Sequence, residues 1–83
     1  MTEHWLAVEV LGRSSRIYDR EFKRDAYFAL GVRELWLVDR WEKTVEVCGY
    51  TGPGRVVSDE IQWRAPSVDV TVVIDLAEVF AGL

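Results

Sequence analysis

"LAVEVLGRSSRIYDREFKRDAYFALGVRELWLVD", residues 6–39, sets two apolar runs on either side of a charged, helix-spaced segment. Residues 5–11 read as a strand, with Leu6, Val8 and Val10 on one face and Trp5, Ala7, Glu9 and Leu11 on the other. Apolar residues on both faces are the pattern of a sheet interior covered on both sides. From 17 to 30, Tyr18, Phe22, Ala26 and Ala29 recur at helical spacing, Asp19 lies near the start where it suits the helix dipole, and Gly31 stops the helix. "RELWLVD", 33–39, is a second apolar strand. Strand, helix and strand with short links predict a right-handed parallel crossover, which puts Glu9 on a central parallel strand.

A carboxylate flanked by Leu6, Ala7, Val8, Val10 and Leu11 needs a partner, because leaving it ionised and unpaired in an apolar layer costs on the order of several kcal/mol at least. Asp19, Lys23 and Tyr27, at i, i+4 and i+8, line one side of the following helix and are placed to meet it. Two readings stay open from spacing alone. Glu9 and Lys23 form a structural ion pair, or the carboxylate takes a divalent cation while the ammonium faces an anionic transition state.

Downstream, "RWEK" at 40–43 has the polar character of a turn, and 44–50 alternates like an antiparallel neighbour, making the sheet mixed. "TGPG" at 51–54 is a second turn; without the lysine and helix of a phosphate loop it has no phosphate-binding reading. Segments 55–57, 61–63 and 68–74 are candidate edge strands, the last two separated by Pro66. Asp75 with Glu78 three residues on starts a terminal helix whose Leu76, Val79, Phe80 and Leu83 form an apolar stripe.

With 83 residues, 49% of them hydrophobic and four of them Trp, the chain is expected to form one domain with little core to spare, which makes self-association, as a homodimer, a natural supplement. The single Cys48 excludes an internal disulfide, and neither a leader nor an apolar run of about 18 residues is present, so a cytoplasmic protein without a membrane partner is expected. The net charge of −4 speaks against a general nucleic-acid coat. Yet residues 13–24 hold five of the ten basic residues, Arg13, Arg16, Arg20, Lys23 and Arg24, against two acids, Asp19 and Glu21. Beside Glu9 and Lys23, Arg13, Arg16 and Arg20 are candidate phosphate contacts; the competing reading is a solvated charged face.

Residues 6–47 resemble the core of the Uma family of restriction endonucleases, in the PD-(D/E)XK nuclease superfamily. The motifs that carry the resemblance are Val8-Glu9-Val10-Leu11, a Ser-bearing loop, Tyr18-Asp19-Arg20 with Lys23 and Tyr27, Gly31-Val32, Glu34, Trp36 and Val38-Asp39. The terminal "VIDLAEVFAGL" resembles the family's closing segment. The resemblance implies an α/β (α+β), restriction-endonuclease-like mixed sheet with a central βαβ unit. It also implies a metal-dependent endonuclease acting on DNA phosphodiesters, with Mg²⁺ as cofactor. Glu9 stands for the superfamily's second acidic residue and metal ligand. The usual lysine two places later is Leu11 here, and the basic role passes to Lys23 on the helix; Asp19 and Tyr27 support the pair.

The sequence also departs from the family. The family's first catalytic aspartate lies on a strand upstream of the one at 5–11, so an N-terminally truncated fold with an incomplete metal site is expected. His4-Trp5 replaces the usual Pro-Asp before the strand, and Gly12-Arg13 replaces the loop's Ser-Pro. The alternative to an impaired endonuclease is a non-catalytic remnant of the fold serving as a dimeric binding module. Other candidates read as structural: His4 and Glu3 as bystanders near the terminus, Ser14 and Ser15 as loop or helix-start residues, and Cys48 as a small core residue. Trp41, in the turn, is expected to be exposed and to mark an association surface.

Overall fold

The computed structural model describes residues 5–12, 17–49, 54–64 and 69–82, with the side chains of 17–19 outside that description. Strand β1, Ala7–Val10, is followed by helix α1, Ile17–Ala29, and strand β2, Glu34–Asp39. Strands β3, Thr44–Gly49, and β4, Arg55–Val57, complete a sheet of order β1-β2-β3-β4. β1 runs parallel to β2, and the pairs β2–β3 and β3–β4 are antiparallel, so the sheet is mixed and contains the expected βαβ unit. Strands β5, Glu60–Arg64, and β6, Thr71–Asp75, form a separate antiparallel pair, and helix α2, Leu76–Ala81, closes the chain. This is an α+β fold.

β1 is an edge strand among the described residues, not a central one, although its parallel pairing is as expected. The two-sided burial expected for it is also corrected. Leu11 is buried, and Ala7 and Glu9 are half-buried under α1, whereas Val8 and Val10 are 52% and 51% exposed on the other face.

Two clusters form the core, one on each face of the sheet. Under α1 lie Leu11, Leu35, Leu37 and Cys48, with Ala7, Tyr27 and Phe28 packed against them. The opposite cluster joins Trp36, Val38 and Val45 of the sheet to Ile61 of β5 and Leu76 of α2, with Trp63, Ile74 and Phe80 at its margin. Alternation along β2 divides these residues: Leu35 and Leu37 point one way, Trp36 and Val38 the other. The Leu76 amide donates to Asp59 O at 2.9 Å, tying α2 back to the start of its hairpin.

Local sequence sets the ends of the elements. Gly31, at φ 91, closes α1 in a Schellman arrangement: its amide donates to Phe28 O at 3.1 Å and the Val32 amide donates to Tyr27 O at 3.2 Å. Asp75 caps α2, accepting from the Ala77 amide at 3.0 Å, with Glu78 in the first turn as the capping pattern predicts. Leu76 is buried and Phe80 half-buried, but Val79 is exposed, so the terminal apolar stripe is buried only in part; Leu83 lies outside the described residues.

The buried face of α1 differs from the apolar stripe read from the sequence. Phe22 is 64% exposed, and Ala26 and Ala29 are exposed. Among the described side chains of the helix, Arg20, Lys23, Arg24, Tyr27 and Phe28 are half-buried instead. The physical reason lies in the sheet. Glu9, Leu37 and Glu46 are in register across β1, β2 and β3, and Asp39 follows Leu37 on the same face of β2. A surface carrying three carboxylates selects a cationic helix face rather than an apolar one.

Candidate functional site

Glu9 is the centre of the contacts between β1 and α1. Lys23 Nζ donates to Glu9 Oε1 at 2.6 Å, and Tyr27 OH donates to Oε2 at 2.9 Å. Residues four apart on a helix are stacked on one face, so a single turn of α1 supplies a cation to one oxygen and a phenol to the other. The Lys23 hydrogen bond first, and the Tyr27 hydrogen bond second, hold the Glu9 carboxyl below its usual range, outweighing the opposing effect of burial. The same contact with Glu9 raises the Tyr27 phenol, because ionising it would set an anion against an anion. At neutral pH Glu9 is therefore an anion and Tyr27 a neutral donor.

The trio is half-buried rather than sealed, with side-chain exposures of 25% for Glu9 and 32% for Lys23. That position keeps the pair reachable by solvent and by a ligand. A carboxylate carries about four lone-pair sites, so two bonds leave acceptor capacity on both oxygens. Among the described residues, however, no group of three or more His, Cys, Asp or Glu side chains converges to hold a metal ion. Glu9 supplies one anionic oxygen ligand, beside an ammonium that competes with any cation.

A second ion pair lies along the same helix. Arg20 Nη2 meets Asp39 Oδ2 at 2.7 Å, while Asp39 Oδ1 accepts from the amides of Trp41 at 3.1 Å and Glu42 at 3.0 Å. Asp39 thus closes the β2–β3 turn and anchors α1 at once. The turn ends at Lys43, φ 56, the left-handed conformation that lets β3 begin. The sequence signal for this role of Asp39 is a lone carboxylate ending an apolar strand just before a polar turn. On the other flank of α1, Arg20, Glu21, Arg24, Leu37 and Glu46 line a recess against the sheet.

The structure brings together Glu9, Lys23 and Tyr27, and places Arg20 one turn from Lys23 in the grip of Asp39. The side chain of Asp19 lies outside the described residues, as do Glu3, His4, Arg13, Ser14, Ser15, Arg16 and Pro66. Cys48 is fully buried; burial, with Glu46 nearby, pushes its thiol up to about 11, so it is a core residue and not a nucleophile at neutral pH. Trp41 is exposed, as expected of a turn residue, with Arg40 stacked on its ring at 5.3 Å.

The family model for Uma2, described as putative restriction endonuclease, matches residues 5–81. The chain belongs to this family. The match extends well beyond the βαβ unit, through the β5–β6 hairpin and into α2, so the two packed faces of the sheet are both part of the Uma2 pattern. The mixed sheet with its parallel β1–α1–β2 unit accords with a restriction-endonuclease-like fold, and membership carries a nuclease-like function at the level of the family. A search of the curated proteins finds no match. No described helix is long and apolar enough to cross a membrane.

Proposed function

We propose that the Glu9–Lys23–Tyr27 cluster is the reaction-facing site of a DNA phosphodiesterase, weak in the isolated chain. The observation that carries this reading is the double clamp on Glu9, an ionised carboxylate held at both oxygens at the margin of the sheet, in a chain of the Uma2 family. Tyr27 fixes the carboxylate's orientation. Lys23 offers an ammonium that can turn from Glu9 to the phosphoryl oxygens, where negative charge builds as water attacks phosphorus. Arg20, with Arg13 and Arg16, would hold the flanking phosphates; a guanidinium has five donors in a fork, so the Asp39 pairing does not exhaust it.

Mg²⁺ fits this donor set in part: Glu9 would be its one protein carboxylate among the described residues, with water and phosphate oxygens filling the shell, which means weak binding. When bound, the ion would activate water and neutralise phosphate charge. A cytoplasmic location goes with substrate DNA and with an unpaired cysteine.

Among the described residues no second carboxylate joins Glu9 in a metal-holding group, which favours a second reading, a non-catalytic binding module built on the nuclease fold. One experiment separates them. The purified chain is incubated with supercoiled plasmid and Mg²⁺ or Mn²⁺ at several concentrations. The phosphodiesterase reading expects slow nicking, lost in Glu9→Gln and Lys23→Met and kept in Cys48→Ala. Plasmid left intact by the folded chain under every metal condition would leave the binding module.

A further inference from the structure

Three carboxylates stand on the sheet face under α1, and the register orders them. Glu9 of β1, Leu37 of β2 and Glu46 of β3 form one row across the strands, and Asp39 lies two residues beyond Leu37 on the middle strand, on the same face. Arg20 borders a recess that Glu21 and Glu46 also line, so more than one carboxylate is near its guanidinium. The ion pair goes to Asp39, Nη2 to Oδ2 at 2.7 Å. That choice draws the charge toward the carboxyl ends of the parallel strands, onto the strand beside Glu9 and away from β3. Lys23, three residues on along the same helix face, is bonded to Glu9 itself.

Within this pair Asp39 is the fixed member. Its side chain is 14% exposed, and its Oδ1 accepts from the amides of Trp41 and Glu42, so the β2–β3 turn holds the carboxylate independently of Arg20. Arg20, 32% exposed, is the member open to solvent. A guanidinium presents five N–H donors in a planar fork, and the Asp39 bond engages one Nη. A second anion can therefore share the fork with Asp39, at a place that the turn dictates.

We propose that Asp39 is a positioning residue, which holds the Arg20 guanidinium beside Lys23 so that Arg20 meets a DNA phosphate next to the one that Lys23 faces. The inference rests on the phosphodiesterase reading for the identity of that anion. The sign of one effect separates it from a bystander acid. A carboxylate that only stands near bound DNA repels the phosphates, and removing its charge tightens binding. A carboxylate that holds an arginine in place does the opposite. Without the Asp39 charge, Glu46 and Glu21 compete for Arg20 across the recess, the guanidinium leaves its place beside Lys23, and binding weakens.

Fluorescence anisotropy of a short labelled DNA duplex, without added metal so that binding is read apart from cleavage, tests this with the chain, Asp39→Asn, Arg20→Gln and the double variant. Asp39→Asn keeps an oxygen acceptor for the two turn amides and gives up the anionic partner of Arg20. Arg20→Gln is expected to bind about tenfold more weakly, with a log–log salt slope shallower by about 0.9. Asp39→Asn is expected to bind about threefold more weakly or worse, and to add nothing in the Arg20→Gln background, because a residue that acts through another has no effect once the other is gone. Binding by Asp39→Asn as tight as that of the chain or tighter, losses that multiply in the double variant, or an unchanged salt slope in Arg20→Gln each overturns the proposal. Should Asp39→Asn fail to fold, Arg20→Lys decides: a single ammonium cannot share itself between Asp39 and a phosphate as a fork does, so full affinity overturns the proposal and a loss close to that of Arg20→Gln upholds it. Plasmid nicking run in parallel keeps the two readings apart. Binding that follows this cycle without nicking under any metal removes the phosphodiesterase reading and leaves Asp39 its role in a DNA-binding module. Nicking lost in Glu9→Gln, with the affinity of Asp39→Asn undiminished, removes the Asp39 inference alone, and a chain that does not bind DNA removes both.

Discussion

Glu9 is the residue whose environment is most unlike its sequence neighbourhood. Apolar on both sides along the chain, it meets a lysine and a tyrosine across the sheet–helix boundary, and both contacts favour its charged form. Its folded pKa therefore lies below the unfolded value of 4.5. The stabilisation it provides is present above that value and is lost as pH falls through the lower folded one. Glu9→Gln is expected to cost about 1–3 kcal/mol at pH 7, the range for removing one member of a hydrogen-bonded charged set, and to flatten the acid limb of stability. Urea midpoints for chain and variant, taken at several values from neutral pH down to about pH 3, check this. Curves that run parallel over the whole range would mean that the Glu9 contacts are not made in solution.

At the scale of elements, α1 is positioned by two carboxylates at different heights on the sheet, Glu9 through Lys23 and Asp39 through Arg20. Asp39 also holds the β2–β3 turn through two backbone amides. Asp39→Ala removes both roles and is expected to destabilise the fold by about 1–3 kcal/mol, whereas Asp39→Asn keeps an acceptor for the turn and should cost about half as much. Thermal melts of the two variants compare them; an Asn variant as damaged as the Ala variant would assign the whole effect to the Arg20 pair.

The elements themselves were largely legible in the sequence: the strand at 34–39, the helix to within a residue of its end at Ala29, the capped α2 and the turn at 40–43 all follow from period, Gly31 and polar clusters. The orientation of α1 was not, because its inward face is chosen by the carboxylates of three strands that come together only on folding. Nor was the edge position of β1. Its apolar alternation does not distinguish the face covered by α1 from the one on which Val8 and Val10 stand exposed.

At the scale of the whole molecule, two clusters on opposite faces of one sheet raise the question of whether the β5–β6–α2 unit folds with the sheet or on it. A two-stranded pair is marginal in water without a packing partner. Here the link is Ile61, 2% exposed, packed with Trp36, Val38 and Val45 of the sheet and with Leu76 of α2. If the chain unfolds as one unit, removing a single methylene at Ile61 must weaken both faces alike. Ile61→Val is expected to cost about 0.5–1.5 kcal/mol. It should also lower the melting temperature by several degrees, since about 1 kcal/mol shifts a domain of this size by roughly 4–8 °C. Native-state hydrogen exchange locates the loss. The Leu76 amide, bonded to Asp59 O, reports on the hairpin and α2, and the Leu11 amide, bonded to Val38 O, reports on the far edge of the sheet. Equal loss of protection at both is the expected result. A loss confined to Leu76, with Leu11 untouched, would show that the hairpin and α2 open independently, and that the βαβ unit bearing Glu9, Lys23 and Tyr27 holds its site without them.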